Sequence, residues 1–377
     1  MWNYQYLARI DFRTLPILLG LMLMSLLVIS ATTCETWDRL DESFFTPYVW
    51  MQIKGYGLGL IFYVFFAGFD YQKLRKWSWL LYLLTIVLLL GLFFTTPIQN
   101  VQRWYRIPGL GIAFQPSESA KLFIVIALSC FLEQKAKEAS SIKTAIQAIT
   151  IIAIPFLLIL KQPDLGSALV LFPIALVLFY FGGIKRKVIV IMSLLAVLGI
   201  CFVSMMFLGV LSHEEMRPLM TKVIKEYQYE RLNPNTYHQK ASQTALALGG
   251  MWGSGWRESE FTGRQWLPAA HTDSVFAAFG EEFGLFGVFL MLLLFSGLIY
   301  FSFQATAVAK DRFGRLLSAG ITVYLAMHMI VSMGMMCGFL PITGVPLVLI
   351  TYGGSSILST MTALGVIQSV YSRRFMF

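Results

Sequence analysis

The chain has 377 residues, of which 57% are hydrophobic and only 13% are charged. Soluble domains are about half apolar and about a quarter charged, so this composition excludes an ordinary soluble protein and favours one built in a bilayer. The net charge of +9 does not indicate a nucleic-acid partner, because the basic residues stand in short clusters between apolar runs rather than on one basic face.

Ten apolar runs follow one another, each near the length that crosses about 30 Å of hydrocarbon as an α-helix. None alternates in hydrophobicity as the strands of a membrane barrel do. The predicted spans cover approximately residues 14–31, 49–69, 77–96, 117–133, 144–161, 166–183, 188–211, 272–303, 316–337 and 345–371. The sequence therefore predicts an all-α integral membrane protein, a single polytopic domain over residues 1–377, with a long connection at about 212–271.

The basic residues predict the orientation, because cytoplasmic loops carry an excess of Lys and Arg. Every connection on one side holds such residues: Arg9, Arg13, Lys73, Arg75, Lys76, Lys135, Lys137, Lys143, Lys185, Arg186, Lys187, Lys310, Arg312, Arg315, Arg373 and Arg374. The short loops on the other side hold only Arg39, Arg103, Arg106 and Lys161. Both termini are therefore predicted to be cytoplasmic, and the connection 212–271 lies outside. The first outer loop is acidic, with Glu35, Asp38, Asp41 and Glu42.

Ionisable residues gather near the outer ends of the spans, where they are candidates for function because each costs about 2.5–3.5 kcal/mol at membrane depth. Arg103 is suited to bidentate phosphate binding. Glu118 and Lys121 are three residues apart at the start of the fourth span, so they share a helix face and can pair. This group is either a local ion pair with a helix cap or the wall of a polar cavity.

Asp164 lies in the minimal turn between the fifth and sixth spans, where it either caps the next helix or contacts a substrate. Asp273 lies where the long outer connection enters the eighth span. There, Thr272 or Asp273 is an N-cap, or Asp273 is a base strengthened by desolvation. Glu281 is about 12 Å further along the same helix, so the two carboxylates do not form a glycosidase-like pair. A single base suffices if the leaving group is good, as a diphosphate is.

Two glycine-containing regions complete the pattern. Residues 249–255 lack the Gly-Lys-Ser/Thr ending of a P-loop and are predicted to form a tight outer turn. Residues 338–346 and 352–356 break an apolar region with Gly and Pro, and such breaks are tolerated only where they line a cavity or are buried in protein.

Taken together and in this order, these segments resemble the SEDS family (shape, elongation, division and sporulation), most closely its RodA branch. The matching segments are Gln102-Arg103-Trp104, Gln115-Pro116-Ser117-Glu118, Ala120-Lys121, Gln162-Pro163-Asp164-Leu165-Gly166, Leu267-Pro268, His271-Thr272-Asp273, Gly280-Glu281-Glu282, Leu340-Pro341, Gly344-Val345-Pro346 and Tyr352-Gly353-Gly354-Ser355-Ser356. The chain departs from the family pattern at Ala241, where a Gln is usual, at Ser254, where a Lys is usual, and at Ser332, where an Asn is common.

The resemblance implies a peptidoglycan glycosyltransferase of the bacterial cytoplasmic (inner) membrane that polymerises lipid II on its outer face during cell elongation and shape maintenance. It implies Asp273 as the catalytic base, inversion at the donor's anomeric carbon, and lipid diphosphate as the leaving group. The substrate-binding residues that it implies are Arg103, Trp104, Glu118, Lys121, Asp164, His271, Ser355 and Ser356.

The resemblance also implies the partners: lipid II, the growing glycan strand, a class B penicillin-binding protein and other membrane proteins of the elongation complex, with no nucleic acid. No cofactor is required and no protein metal site is predicted, although a diphosphate can bind a divalent cation such as Mg²⁺. The predicted cytoplasmic N-terminus of about 13 residues favours the RodA branch over the FtsW branch.

Three alternatives stay open at this point: an FtsW-like division polymerase, a flippase for lipid-linked precursors and a non-catalytic scaffold. A flippase predicts charges throughout the membrane and often an inverted repeat, neither of which the sequence shows. A scaffold has little need for Asp273 and Lys121 near the membrane.

Overall fold

A computed structural model of the chain describes residues 4–34, 43–96, 102–107, 112–222 and 226–374. The acidic first outer loop that the sequence predicts, with Glu35, Asp38, Asp41 and Glu42, lies outside these ranges. We use "outer" for the side predicted to face away from the cytoplasm.

A long helix lies at each of the ten predicted positions. Before the long connection these are α1 (Thr14–Thr32), α2 (Pro47–Gly68), α3 (Leu74–Gly91), α4 (Pro116–Gln134), α5 (Ile142–Lys161), α6 (Leu165–Gly182) and α7 (Arg186–Phe207). The connection contains α8 (His213–Met220), α9 (Glu226–Glu230), α10 (Tyr237–Gly249) and α11 (Glu260–Gly263). The last three are α12 (Val275–Val308), α13 (Arg312–Met336) and α14 (Gly354–Ser372). Short 3₁₀ helices lie at Tyr4–Arg9, Tyr71–Lys73, Leu92–Phe94 and Ala136–Glu138.

Eight of these helices are long and apolar enough to cross a membrane. The other two long helices, α4 and α14, are more polar, and they lie inside the bundle: α14 packs on α2, α4, α12 and α13, and α4 on α3, α6 and α13. The most apolar helix, α7, has almost no buried residue and contacts α6. The most lipid-exposed helix is therefore also the most apolar one, and the two most polar long helices lie in the interior. The predicted all-α, multi-pass membrane fold is confirmed.

Local sequence sets several helix boundaries. Thr46 caps α2 by accepting a hydrogen bond from Val49 N, and Pro47 occupies the first turn, where its missing N–H costs nothing. Gly183 ends α6 with a φ of 75°, the left-handed conformation that glycine adopts without strain.

Two features differ from the sequence prediction. The tenth span was predicted from residue 345, but α14 begins at Gly354 and residues 345–353 are irregular, with the backbone of Leu349 in the left-handed region at a φ of 64°. The second outer loop contains an antiparallel hairpin, β1 (Tyr105–Ile107) and β2 (Ile112–Phe114), which was not predicted because three-residue strands carry almost no periodicity.

The long outer connection folds against the start of α12. Gly284 has a φ of 63° inside α12, and an added Cβ there would lie 2.2 Å from Gly253 N, so the glycine-rich turn packs directly on the helix. The Glu281 carboxylate accepts hydrogen bonds from Phe261 N (2.8 Å) and Thr262 N (3.0 Å) of α11. Helix α10 also packs along α12. These contacts hold the connection against the first turns of α12.

Candidate active site

Asp273 lies in the turn just before α12 and faces the irregular residues between α13 and α14. The N-cap of α12 is Ser274, which makes no capping hydrogen bond. Asp273 is therefore not an N-cap, which was one of the two roles that the sequence allowed for it. A Cβ added at Gly344 would lie 3.5 Å from Asp273 Oδ2, which places the carboxylate beside the backbone of Gly344. Within the described ranges no hydrogen-bond donor reaches this carboxylate. The carboxylate is therefore not held in place by a hydrogen bond from the described part of the chain.

Three of the predicted residues, Asp273, Asp164 and Arg103, lie close enough for their charges to interact. Burial raises the pKa of Asp273, and the charge of Asp164 raises it further, whereas His238, Arg103 and Arg231 lower it. These five groups therefore surround one site, although they come from four separate parts of the chain. Arg231 and His238 were not predicted, because they lie in the long connection with no motif around them. No sequence signal separates Arg231 from the other six basic residues of this connection.

Arg103 and Asp164 meet at the turn between α5 and α6. Arg103 donates to the backbone oxygen of Gln162 (3.1 Å) and to that of Pro163. Asp164 Oδ1 accepts from Ser167 N (3.2 Å) and Asp164 Oδ2 from Ser117 Oγ (2.9 Å). Asp164 therefore caps α6 and joins it to the start of α4, which confirms the capping interpretation. A substrate contact by Asp164 stays a prediction.

The residues 338–353, which we call the connecting segment, form one wall of this site. The Thr343 oxygen accepts a hydrogen bond from Arg231 Nη1 (3.3 Å). Gly166 is packed so closely that a Cβ there would lie 2.6 Å from Val345 Cγ2. Near the end of the segment, Tyr352 N donates to the oxygen of His271 (3.1 Å). The predicted broken-helix region thus contacts the Asp164 turn, the Arg231 side chain and the Asp273 turn.

Glu118 and Lys121 form the pair that their spacing predicts, with 2.7 Å between Lys121 Nζ and Glu118 Oε1. The residues are 1% and 0% exposed, so they lie inside the bundle and not on an open cavity surface. Lys121 Nζ also lies 2.8 Å from Nε2 of His328 on α13. A contact of Glu118 or Lys121 with the substrate stays a prediction.

His271 belongs to a cluster of three aromatic rings two residues before Asp273. Its ring centroid lies 5.0 Å from that of Tyr48 and 5.9 Å from that of Tyr352, and the two tyrosine rings are 5.3 Å apart. Burial lowers the pKa of His271, while the negative charge of Asp273 opposes this shift. The cluster is partly open to solvent, since Tyr48 is 41% exposed.

The other predicted substrate-binding residues lie around the hairpin and the start of α14. Trp104 is half-buried next to Arg103. Ser355 Oγ accepts from Gln115 N and donates to the oxygen of Ala113, both at 3.1 Å, so it ties β2 and α4 to α14. Ser356 is buried, and its hydroxyl has no hydrogen-bond partner in the described part of the chain.

The departures from the family pattern lie at separate places. Ala241 is buried in α10, Ser254 N donates to the oxygen of Glu281 (2.9 Å), and the buried hydroxyl of Ser332 on α13 lacks a partner among the described residues. No group of three or more His, Cys, Asp or Glu side chains able to hold a metal is found in the ranges described.

The arrangement combines a desolvated carboxylate with two arginines at the outer rim of a membrane bundle. A carboxylate whose pKa is raised by burial is a stronger base than one in water. Arginines next to it are suited to phosphate oxygens and to negative charge that develops on a leaving group. The site can therefore support base-assisted transfer from a phosphate-linked donor.

A sequence profile for FtsW, RodA and SpoVE, described as cell cycle protein, matches residues 12–374. The peptidoglycan glycosyltransferase MrdB of Escherichia coli (strain K12) is 30% identical over 371 residues, covering 98% of this chain and 95% of that protein. One solved structure, described as "Structural coordination of polymerization and crosslinking by a peptidoglycan synthase complex", matches with a TM-score of 0.74 and 23% identity, covering 98% of this chain and 99% of that one. The crystal structure of the Rod shape determining protein RodA of Thermus thermophilus matches with a TM-score of 0.70 and 23% identity, covering 98% of both chains.

Proposed function

The chain belongs to the FtsW, RodA and SpoVE family of cell cycle proteins, and from this premise we propose how its residues carry out the reaction. It is a peptidoglycan glycosyltransferase, a multi-pass membrane enzyme that polymerises glycan strands, the activity for which its relative MrdB is named. We propose that lipid II is the substrate, and that the site faces outward from the bacterial cytoplasmic membrane.

The Asp273 carboxylate acts as the general base. It takes the proton from the acceptor sugar hydroxyl as that oxygen attacks the anomeric carbon of the donor. The bond between this carbon and the lipid diphosphate breaks, and the diphosphate leaves with the bonding electron pair. The configuration at the carbon is therefore inverted. The observation that carries this assignment is a half-buried carboxylate whose pKa is raised by desolvation, and which caps no helix and accepts no hydrogen bond in the described ranges.

Arg103 and Arg231 contact the diphosphate in this proposal. Both lie close enough to Asp273 for their charges to lower its pKa, and two guanidinium groups can bind phosphate oxygens bidentately. They stabilise the charge that develops as the diphosphate departs. A diphosphate binds Mg²⁺ through its own oxygens, so the proposal requires no metal held by the protein.

We also propose a class B penicillin-binding protein as the transpeptidase partner and an elongation role with other membrane proteins of that complex. The solved relative described as a peptidoglycan synthase complex coordinates polymerisation and crosslinking, which supports a partner of this kind. The elongation role is proposed because the chain is similar to RodA, which is described as a rod shape determining protein.

The test is polymerisation of purified lipid II by the full chain in vesicles, with and without the candidate transpeptidase. Glycan strands on a gel are the expected product. Absence of strands under both conditions, together with transfer of labelled lipid II across the vesicle membrane, would replace the polymerase by a flippase.

The pH profile of kcat/KM should report on Asp273. The base works only when deprotonated, so activity is lost as the pH falls through its pKa, which burial raises above the ordinary aspartate value of about 3.9. Arg231→Gln removes a positive charge that lowers this pKa, so the acid limb should move to higher pH. Arg231→Lys keeps the charge and should leave the limb in place. Identical limbs in all three proteins would contradict the assignment of Asp273 as the titrating base.

The aromatic cluster should contribute to sugar binding, because the apolar C–H face of a sugar ring packs well on aromatic rings. We expect Tyr48→Ala to raise the KM for lipid II about threefold to tenfold, a cost of about 1 kcal/mol, with a smaller change in kcat. Trp50→Ala is the matched control, because Trp50 is 50% exposed on the same helix and stacks on Phe45 instead. An equal rise of KM in both variants would mean that Tyr48 only anchors the helix in the membrane interface.

A further inference from the structure

A continuous chain of polar contacts crosses the buried interior from α4 to the connecting segment. Glu118 pairs with Lys121, and Lys121 Nζ lies 2.8 Å from His328 Nε2. On the other side of the same ring, His328 Nδ1 lies 3.0 Å from the backbone oxygen of Pro346. His328 is 0% exposed, and the reaction proposed above does not use it.

The partners of His328 determine which nitrogen carries its proton. The ammonium group of Lys121 has three donors and no acceptor, and two of them point to Glu118 and His328, with the Tyr324 ring 5.5 Å from Nζ. His328 Nε2 must therefore be the unprotonated acceptor. Nδ1 then carries the proton and donates to Pro346, so the neutral imidazole satisfies both of its neighbours in one orientation. A doubly protonated ring would place two donors against each other at Lys121.

The series of polar contacts reaches the site at Pro346. Proline has no backbone N–H, so its carbonyl is the only backbone group that can anchor it. Gly344, two residues earlier, lies beside the Asp273 carboxylate, and Val345 packs on Gly166 close to the Asp164 cap. A shift of Pro346 would therefore move the wall that Asp273 faces.

We propose that His328 is a positioning residue for glycan polymerisation. Held by Lys121, it fixes the carbonyl of Pro346 and thereby the place of Gly344 against Asp273. This inference rests on the function proposed above, and it gives the buried pair of Glu118 and Lys121 a role through the connecting segment. A displacement of about 1 Å at reacting groups can cost about a hundredfold in rate, so such a contact affects turnover more than binding.

The experiment compares His328→Gln, His328→Leu and the control Ser332→Ala in the full chain in vesicles, with kcat and KM measured on lipid II. Gln can accept from Lys121 through its oxygen and donate to Pro346 through its amide, so it should retain activity within about threefold. Leu can do neither, and kcat should fall about tenfold to a hundredfold with KM changed less than about threefold. The hydroxyl of Ser332, one turn further along α13, has no partner among the described residues, so its removal should change neither constant.

If His328→Leu does not fold, the triple variant Glu118→Gln, Lys121→Met and His328→Leu removes the buried charges together with the imidazole. It should fold and show the same selective loss of kcat. A wild-type kcat in either folded variant, or an equal loss in the Leu and Gln variants, would overturn the positioning role. Because these comparisons are made relative to a wild-type protein that forms strands, absence of strands from the wild type contradicts the proposed function instead.

Discussion

Asp273→Asn should lower kcat for glycan polymerisation by about a thousandfold, within the range of about 10²–10⁴ that a positioned general base contributes. Asparagine keeps the size of the side chain but cannot accept the proton of the acceptor hydroxyl. Since no donor in the described ranges reaches the Asp273 carboxylate, the protein loses no hydrogen bond. Lipid II binding and thermal stability should therefore stay close to those of the wild type.

The measurement is single-turnover strand formation by the reconstituted variant, with lipid II binding measured on the same sample. Glu260→Gln is the matched control, because this carboxylate also lies in the outer connection but pairs with Arg264 at the surface, where it is 66% exposed. It should polymerise at the wild-type rate. Normal turnover by Asp273→Asn would remove Asp273 as the base. Loss of lipid II binding would assign it to substrate contact instead.

Lys121→Met should destabilise the folded protein by about 3–5 kcal/mol, the cost of leaving a buried charge without its partner. Glu118 would keep its carboxylate in the interior, where its Oε2 already lacks a partner among the described residues. The double variant Glu118→Gln and Lys121→Met removes both charges and should recover most of that stability, because two neutral side chains of similar size carry a much smaller desolvation cost.

Unfolding of the single and double variants in detergent, followed by helix content, checks this expectation through a double-mutant cycle. Lys135→Met is the control, since Lys135 pairs with Glu138 on the surface at the same spacing and is 38% exposed. Such exposed pairs contribute about 0–1 kcal/mol. A single Lys121 variant as stable as this control would mean that Glu118 is neutral or reaches water.

The sequence determined the features that depend on local order. Apolar runs long enough to span a bilayer predicted the ten long helices, and the three-residue spacing of Glu118 and Lys121 predicted their pairing. The family prediction, made from motifs in order along the chain, is confirmed by the match over residues 12–374. The boundary of α14 was wrong by nine residues, because hydropathy does not register that Pro346 and the following residues pack as irregular backbone.

Only the tertiary structure decided which polar groups from distant parts of the chain meet. The charges of Arg103 and Arg231 both lower the pKa of Asp273 although the three residues are far apart in the chain, and no periodicity encodes that proximity. His328 lies on an apolar helix, where its sequence gives no reason to separate it from the core, yet its two nitrogens join Lys121 to Pro346. Helix formation depends on neighbours within about four residues, which a sequence displays directly. The site depends instead on how whole helices pack, and that is determined by the sum of many contacts between distant residues.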